Sequence, residues 1–470
     1  MDRARTGCMV AALVLATLAG CGNDTAAVPA KLTESDESRS PAAAVIPPPD
    51  EAPSAEPMRQ TRAVPQPLRM PLRHSDAPPA EPQVALAEVP QSSGESIVRI
   101  LYGTNRRPTG KSFVTAPNEA YGAEIGELEL GVCAVSIPPT HGYGQIERPS
   151  VWRFEFAEHP GRHVMLRQIA RVDPGTFAGS LRAMTAQSRS REAFVFVHGY
   201  NNDFAEAARR TAQIKFDLDF DGPAILFSWP SEGAAGGYAA DRRKIAPTLP
   251  KLTEFLTLVA EQSGAERIHV IAHSMGNEFA TRSLAEISTT RNADLFDELI
   301  LAAPDIDAAE FATTIAPYLR PACRRCTIYA ADHDVALATS QRYHRKPRLG
   351  QAGRYLVSFP ATPHINVVDA SAVGFDLFNL GHADFGDDLL VDIRAVMSGL
   401  NPSRRKLVPH SLQAAWRFVP GSVRPVGFES PAEPPVPAPP AEMPDDSADD
   451  VDPSPEPIGF WAKLSGWWHG

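Results

Sequence analysis

Ser274 lies in the stretch Arg267-Ile-His-Val-Ile-Ala-His-Ser-Met-Gly-Asn277. Ile268 to Ala272 reads as a buried strand and Asn277 to Ile287 as a helix, so the serine falls at a tight strand-to-helix turn. Such a turn exposes Oγ. It also puts the next backbone N–H, that of Met275, at a helix N-terminus, where it can stabilise an oxyanion. The backbones come close there, so the flanking residues must be small. Gly276 satisfies this two residues after the serine. Ala272 does so two residues before, where the common G-x-S-x-G pattern has glycine. The plain alternative is an ordinary turn with a capping serine. The pattern itself recurs by chance; the strand before it and the helix after it weigh against that alternative.

A nucleophilic serine needs a base, and the base needs an acid to orient it. In hydrolases built on this turn, both follow the serine in sequence. Six histidines do so here. His410 and His469 lie near or in the tail. His344 sits in a basic loop with no strand end beside it, His364 precedes a strand, and His333 is inside a candidate acid loop. His382, in Gly381-His-Ala-Asp384, follows the last expected strand and precedes a closing helix, which is where a general base belongs. For the acid, Asp334 follows the penultimate strand and is the first choice. Asp305, after the preceding strand, is the alternative, and Asp332 is third. Each also fits a loop or helix-cap carboxylate. The second oxyanion donor should come from the loop after an earlier strand. His198-Gly199-Tyr200 fits, with Tyr200 N–H as the donor and His198 as a structural residue.

These residues need a scaffold, and the pattern supplies one. Expected strands are 96–102, 126–137, 152–156, a run from 163, then 194–197, 224–227, 268–272, 298–302, 327–330 and 365–368. Expected helices are 176–188, 204–218, 249–260, 277–287 and 389–397. Strands alternating with helices imply a mostly parallel sheet with helices on both faces, here preceded by a short β-rich segment. His198, Ser274, Asp305, Asp334 and His382 all fall past a strand end, which is where such sheets keep their chemistry.

The chain has 470 residues and a formal charge of −11, which argues against a nucleic-acid partner. Its 45 prolines crowd both ends. At the start, Arg3 and Arg5 precede a short apolar run, Met9 to Thr17, and then Leu18-Ala-Gly-Cys21. This looks like a bacterial lipoprotein signal, with cleavage before Cys21 and lipidation of that cysteine. Gly22 follows it, with no aspartate to suggest inner-membrane retention. The expected location is therefore the bacterial cell envelope, lipid-anchored, with the periplasmic face of the outer membrane favoured. The expected organisation is a signal peptide over 1–20, a Pro/Ala-rich disordered tether over 21–95 and a folded domain over 96–400. Within that domain 96–190 is the β-rich part and 191–400 the catalytic core. A Pro/Asp-rich disordered linker follows over 401–457, then a Trp-rich amphipathic end over 458–470. That end suits a membrane interface, a partner groove or the protein's own surface. Cys323-Arg-Arg-Cys326 admits three readings: a disulfide, a metal half-site or a redox pair. Besides the lipidated Cys21, Cys133 is the only further cysteine of the mature body, so a four-cysteine metal site is excluded, and an oxidising compartment favours a local disulfide. No metal-ligand cluster or phosphate-cradling loop stands out, so neither metal nor cofactor is expected.

Phe196-Val-His-Gly-Tyr-Asn-Asn202, Ile225-Leu-Phe-Ser-Trp-Pro230, Ile271-Ala-His-Ser-Met-Gly-Asn277 and Ala302-Ala-Pro-Asp-Ile-Asp307, in that order, resemble a bacterial family of alpha/beta-hydrolases of unknown function, often called esterase/lipase superfamily enzymes. The resemblance runs from about Ile97 to Leu400 and takes in Tyr102-Gly-Thr-Asn-Arg106 and Val135-Ser-Ile-Pro138. Alanine before His273 fits that family. The resemblance implies the fold, the nucleophile and the reaction class. The expectation is a serine hydrolase cleaving carboxylic esters, with an ester or lipid as substrate. Two alternatives are an amide- or peptide-cleaving hydrolase and a non-catalytic envelope scaffold on the same fold.

Overall fold

A computed structural model describes residues 94–150, 155–234, 236–290, 294–332, 334–359, 362–373, 386–410 and 414–419. The expected signal peptide, the tether up to 93, Trp152–Phe154, His333, His382, the linker from 420 and the Trp-rich end lie outside the described residues. Glu155 and Phe156, the described part of one expected strand, are not in a strand.

Among the described residues, eleven strands form one sheet in the order β10-β11-β9-β8-β7-β6-β4-β5-β1-β2-β3. They are β1 (Ser96–Pro108), β2 (Tyr121–Ile137), β3 (Met165–Val172), β4 (Glu192–Val197), β5 (Ala224–Ser228), β6 (Arg267–His273), β7 (Phe296–Ala302), β8 (Cys323–Ala330), β9 (Ile365–Asp369), β10 (Leu407–Pro409) and β11 (Trp416–Phe418). The pairs from β1–β5 through β8–β9 are parallel, whereas β1–β2 and β2–β3 are antiparallel. This is the expected β-rich entry followed by a parallel core. The chain runs from β4 outward to β5, then crosses back to β6 on the other side of β4. That reversal leaves a crevice at the carboxyl ends of β4 and β6, the position at which open parallel sheets bind ligands.

The helices are α1 (Pro174–Gln187), α2 (Phe204–Asp217), α3 (Tyr238–Arg243), α4 (Ile245–Gln262), α5 (Gly276–Thr290), α6 (Val335–His344) and α7 (Gly386–Met397), with a short irregular helical stretch over 308–319. Period-two alternation in the strands decides the layers. In β4, Ala193, Val195 and Val197 face one core with Phe255 and Leu256 of α4 and Phe279 and Leu284 of α5. Phe194 and Phe196 face the other, with Phe204, Ala208 and Ala212 of α2 and Leu389 and Ile393 of α7. Helix α2 starts where Asp203 accepts from Glu206 N and the Glu206 side chain bonds back to the cap, a reciprocal capping box. Among the described residues, no helix is long and apolar enough to cross a membrane.

Two expectations need correction. Cys323 and Cys326 are free, buried thiols, not a disulfide. Both lie in β8, and residues three apart in a strand are separated by ~10 Å, beyond the ~7 Å that a disulfide spans. The sheet also continues past 400. β10 pairs antiparallel with β11, which pairs parallel with β9 through Trp416 and Val368, so the expected linker begins later. Strands of three residues are too short to show alternation in the sequence.

Candidate functional site

Ser274 stands between β6 and α5 with φ +50°, a conformation that non-glycine residues rarely adopt. The turn is braced through its backbone. Ser274 N donates to Ala302 O at the end of β7 (3.0 Å), and Ser274 O accepts from Asp305 N (3.2 Å) and Asn277 N (3.2 Å). The Asn277 side-chain amide also donates to Ser274 O (2.8 Å) and Ala302 O (2.9 Å). Met275 is fully buried, and its N–H stands next to the first residue of α5. Closeness explains the small residues. A Cβ on Gly276 would meet His198 O at 2.3 Å and Val197 O at 2.7 Å, and one on Gly199 would meet Ser274 Cβ at 2.9 Å. The atoms facing Gly276 are backbone and cannot swing away. Gly276→Ala is therefore expected to push β4 and its following loop away from the serine and to destabilise the fold by about 1–3 kcal/mol, measured as a lower melting temperature.

The loop after β4 carries His198-Gly199-Tyr200. His198 is buried, stacked on Trp229 with centroids 5.1 Å apart, and its Nδ1 lies 2.8 Å from Gly199 O. Burial, with the charge of Arg106, holds it well below the usual imidazole range. Its ring contacts, the stacking on Trp229 and the approach to Gly199 O, are those of a packed loop residue. His273 is pushed down to about 3 by burial. Asn202 closes the loop, its amide donating to Tyr200 O (2.9 Å). The Trp229 indole N–H donates to His198 O (2.7 Å). Arg106, 1 % exposed, reaches in from β1. Its Nε donates to Ser228 Oγ (2.8 Å), Nη1 to Gly122 O (3.1 Å) and Ser231 O (2.9 Å), and Nη2 to Asn202 O (2.7 Å).

The acid candidates differ in what they already hold. Asp305 Oδ1 accepts from Arg348 Nε (2.7 Å) and Ser340 Oγ (2.5 Å), and Oδ2 accepts from the Tyr238 hydroxyl (2.9 Å). Arg348 Nη2 donates to Asp305 O (2.7 Å). This carboxylate is buried and committed to an ion pair. Asp334 caps α6, accepting from Leu337 N through Oδ1 (2.8 Å). Burial raises its pKa, backbone N–H groups at Leu337 and Ala336 oppose this, and Asp305 nearby adds to the rise. Asp332 is exposed just past β8, and its N–H donates to Ser371 Oγ (3.0 Å) after β9. His382 belongs to the connection between β9 and α7, outside the described residues.

His344 is the last residue of α6 and not a loop residue. Its Nε2 lies 3.0 Å from the Tyr238 hydroxyl, and burial, then Arg348 and Arg242, lower its pKa. Tyr238, on α3, also packs edge-on against Tyr200 at 5.5 Å. The glycine-containing stretch from Ser231 to Arg243 is tied down by Arg242 on Glu278 of α5 and by Ser231 on Asp241. Sequence reasoning gave no role to Arg106, Asn202, Trp229, Tyr238 or Asn277. Motifs resembling the family flagged four of them; Tyr238 carried no signal.

The sheet order, the strained serine turn and the paired helical layers define an alpha/beta-hydrolase. Residues 176–397 match the family model described as "Alpha/beta hydrolase of unknown function (DUF900)". An uncharacterized protein, alr1448, of Nostoc sp. (strain PCC 7120) is 30% identical over 77 residues, 16% of this chain. The chain spans about a fifth (20%) of that relative's length. Among solved structures, an esterase from Rhizomucor miehei is similar at 12% identity, covering 57% of this chain and 78% of its own, with a TM-score of 0.28. An esterase from Pyrococcus furiosus is similar at 12% identity, covering 45% and 83%, with a TM-score of 0.27. The fold is that of a hydrolase.

Proposed function

We propose that the protein is a serine hydrolase that cleaves carboxylic esters through an acyl-enzyme. Ser274 Oγ attacks the carbonyl carbon as His382 takes its proton, and Asp334 orients His382. The N–H groups of Met275 and Tyr200 hold the tetrahedral oxyanion. Collapse expels the alcohol, protonated by His382, and a water activated the same way releases the acid. The observation that carries this reading is the Ser274 backbone, held at φ +50° between β6 and α5 with Gly276 and Gly199 packed against it. Strain of about 1–3 kcal/mol persists only where surrounding structure enforces it, and such strain clusters at active sites. Labelling with a fluorophosphonate, wild type against Ser274→Ala, tests the reading. A well-folded wild type that takes no label and hydrolyses no ester would sink it.

The same proposal places the enzyme at the cell envelope, held by lipid on Cys21 and facing an ester or lipid substrate, with the Trp-rich end as a further membrane contact. Support comes from the sequence alone: the basic start, the short apolar run and Leu18-Ala-Gly-Cys21. Cys21→Ser is expected to abolish incorporation of labelled fatty acid and to move the protein from the membrane to the soluble fraction. Incorporation unchanged in that variant would rule out lipidation at Cys21.

A further inference from the structure

Arg106 is an unusual group to find buried. Its charge is 1 % exposed, and four side-chain hydrogen bonds run to three backbone carbonyls and one hydroxyl. Burial lowers its pKa to about 10, with Asp203 and Asp241 opposing the drop from further away. A guanidinium is desolvated at a cost of several kcal/mol, so a site built around one has a use for its rigid fork. The partners show where that fork acts. Asn202 O belongs to the loop after β4 that carries Tyr200. Ser228 Oγ belongs to the last residue of β5, and Ser231 O to the loop after it. Gly122 O belongs to β2.

Three further observations converge on the same loop. The β1–β2 ladder slips on both sides of Arg106, between Thr104 and Arg106 and again between Arg106 and Pro108. Irregularities of this kind re-aim a side chain beside a functional site. Thr104, two residues earlier, donates its hydroxyl to Ser228 O (2.6 Å), fixing the same strand end. Asn202, whose carbonyl Arg106 grips, uses its own side chain to hold Tyr200 O (2.9 Å). The same amide donates to Gly199 O (3.4 Å), the carbonyl of the peptide whose N–H is that of Tyr200, so a chain of bonds runs from Arg106 through Asn202 to that peptide.

We propose that Arg106 is a positioning residue for the reaction: it fixes the loop after β4 so that the Tyr200 N–H meets the oxyanion formed at Ser274. The inference rests on the serine-hydrolase reading. Arg106 lies outside residues 176–397, the part that matches the family model, so the catalytic geometry of the matched core depends on the strand that precedes it. The mechanism is geometric. Oxyanion donors act only if preorganised, and loss of one costs ~100- to 1,000-fold in kcat. Because the oxyanion exists only in the transition state, a displaced donor lowers kcat and leaves KM nearly unchanged.

The experiment compares wild type, Arg106→Lys and Ser228→Ala in the full chain. Lysine keeps the charge but not the planar fork, and alanine at 228 removes a single partner. Turnover of a p-nitrophenyl ester is divided by the amount of serine titrated with a fluorophosphonate, so unfolded protein does not count. Arg106→Lys is expected to lose ~100-fold in kcat per labelled serine with KM within a few-fold of wild type, and Ser228→Ala to lose ~10-fold. Folded variants with wild-type kcat per labelled serine would overturn the proposal, as would losses confined to KM. If Arg106→Lys fails to fold, Ser228→Ala decides by the same criterion. A wild type that takes no label and shows no turnover overturns the serine-hydrolase reading itself, a result seen before any variant is examined.

Discussion

Ser274→Ala is expected to erase fluorophosphonate labelling and to lower ester turnover by ~10,000-fold or more, the scale on which loss of a nucleophile acts in serine hydrolases. The protein should otherwise be unchanged. The bonds that brace the turn come from the Ser274 backbone N–H and carbonyl, together with Asn277, and not from the hydroxyl. Alanine keeps the Cβ at φ +50°, so the strain of the turn is the same in both proteins. A melting temperature within ~1–2 °C of wild type is therefore expected, corresponding to a change below ~0.5 kcal/mol. Those two readouts together separate a lost nucleophile from a lost fold. Persistent labelling of Ser274→Ala would mean that another serine carries the probe.

The serine was legible in the sequence because its signal is local. A buried run, a small residue, a serine, a glycine and a helix all fall within about twenty residues, and each constrains backbone alone. The parallel core was legible for the same reason: Phe194-Val-Phe-Val197 and Ala224-Ile-Leu-Phe227 are short apolar runs with turn residues behind them. What was not legible depends on contacts between distant segments. Arg106 reaches Asn202 and Ser231, 96 and 125 residues away, and although it ends a family-like motif, nothing near it in sequence says what it holds. Tyr238 sits on a six-residue helix in a glycine-containing stretch, too short to show a period, and its partners come from 67 to 106 residues downstream. His344 looks like a loop residue in the sequence because α6 mixes apolar and polar residues without a clear face. Cys323 and Cys326 were read as a pair because their spacing is short. In a strand, that same spacing keeps them apart.

The acid is where sequence left three candidates, and the proposed roles carry opposite outcomes for two of them. Asp305→Asn removes the charge that Arg348 faces; both side chains are only 3–4% exposed. An amide also cannot accept through both former oxygens from Arg348, Ser340 and Tyr238. Breaking a buried pair from one side costs about 3–5 kcal/mol, so this variant should melt far below wild type. Whatever folds should retain most of its turnover per labelled serine. Asp334→Asn should do the reverse. Asparagine caps helices about as well as aspartate, and its carbonyl can keep the bond from Leu337 N, so stability should change by less than ~1 kcal/mol. Catalysis should fall ~10,000-fold, because an amide neither holds the imidazole in the required tautomer nor stabilises the imidazolium that forms when Ser274 gives up its proton. Thermal unfolding and kcat per labelled serine, taken on both variants, check the pair of outcomes. If the catalytic loss follows Asp305 instead, the acid comes from the strand before. If neither variant loses catalysis, the role passes to Asp332, whose N–H donates to Ser371 Oγ just after β9.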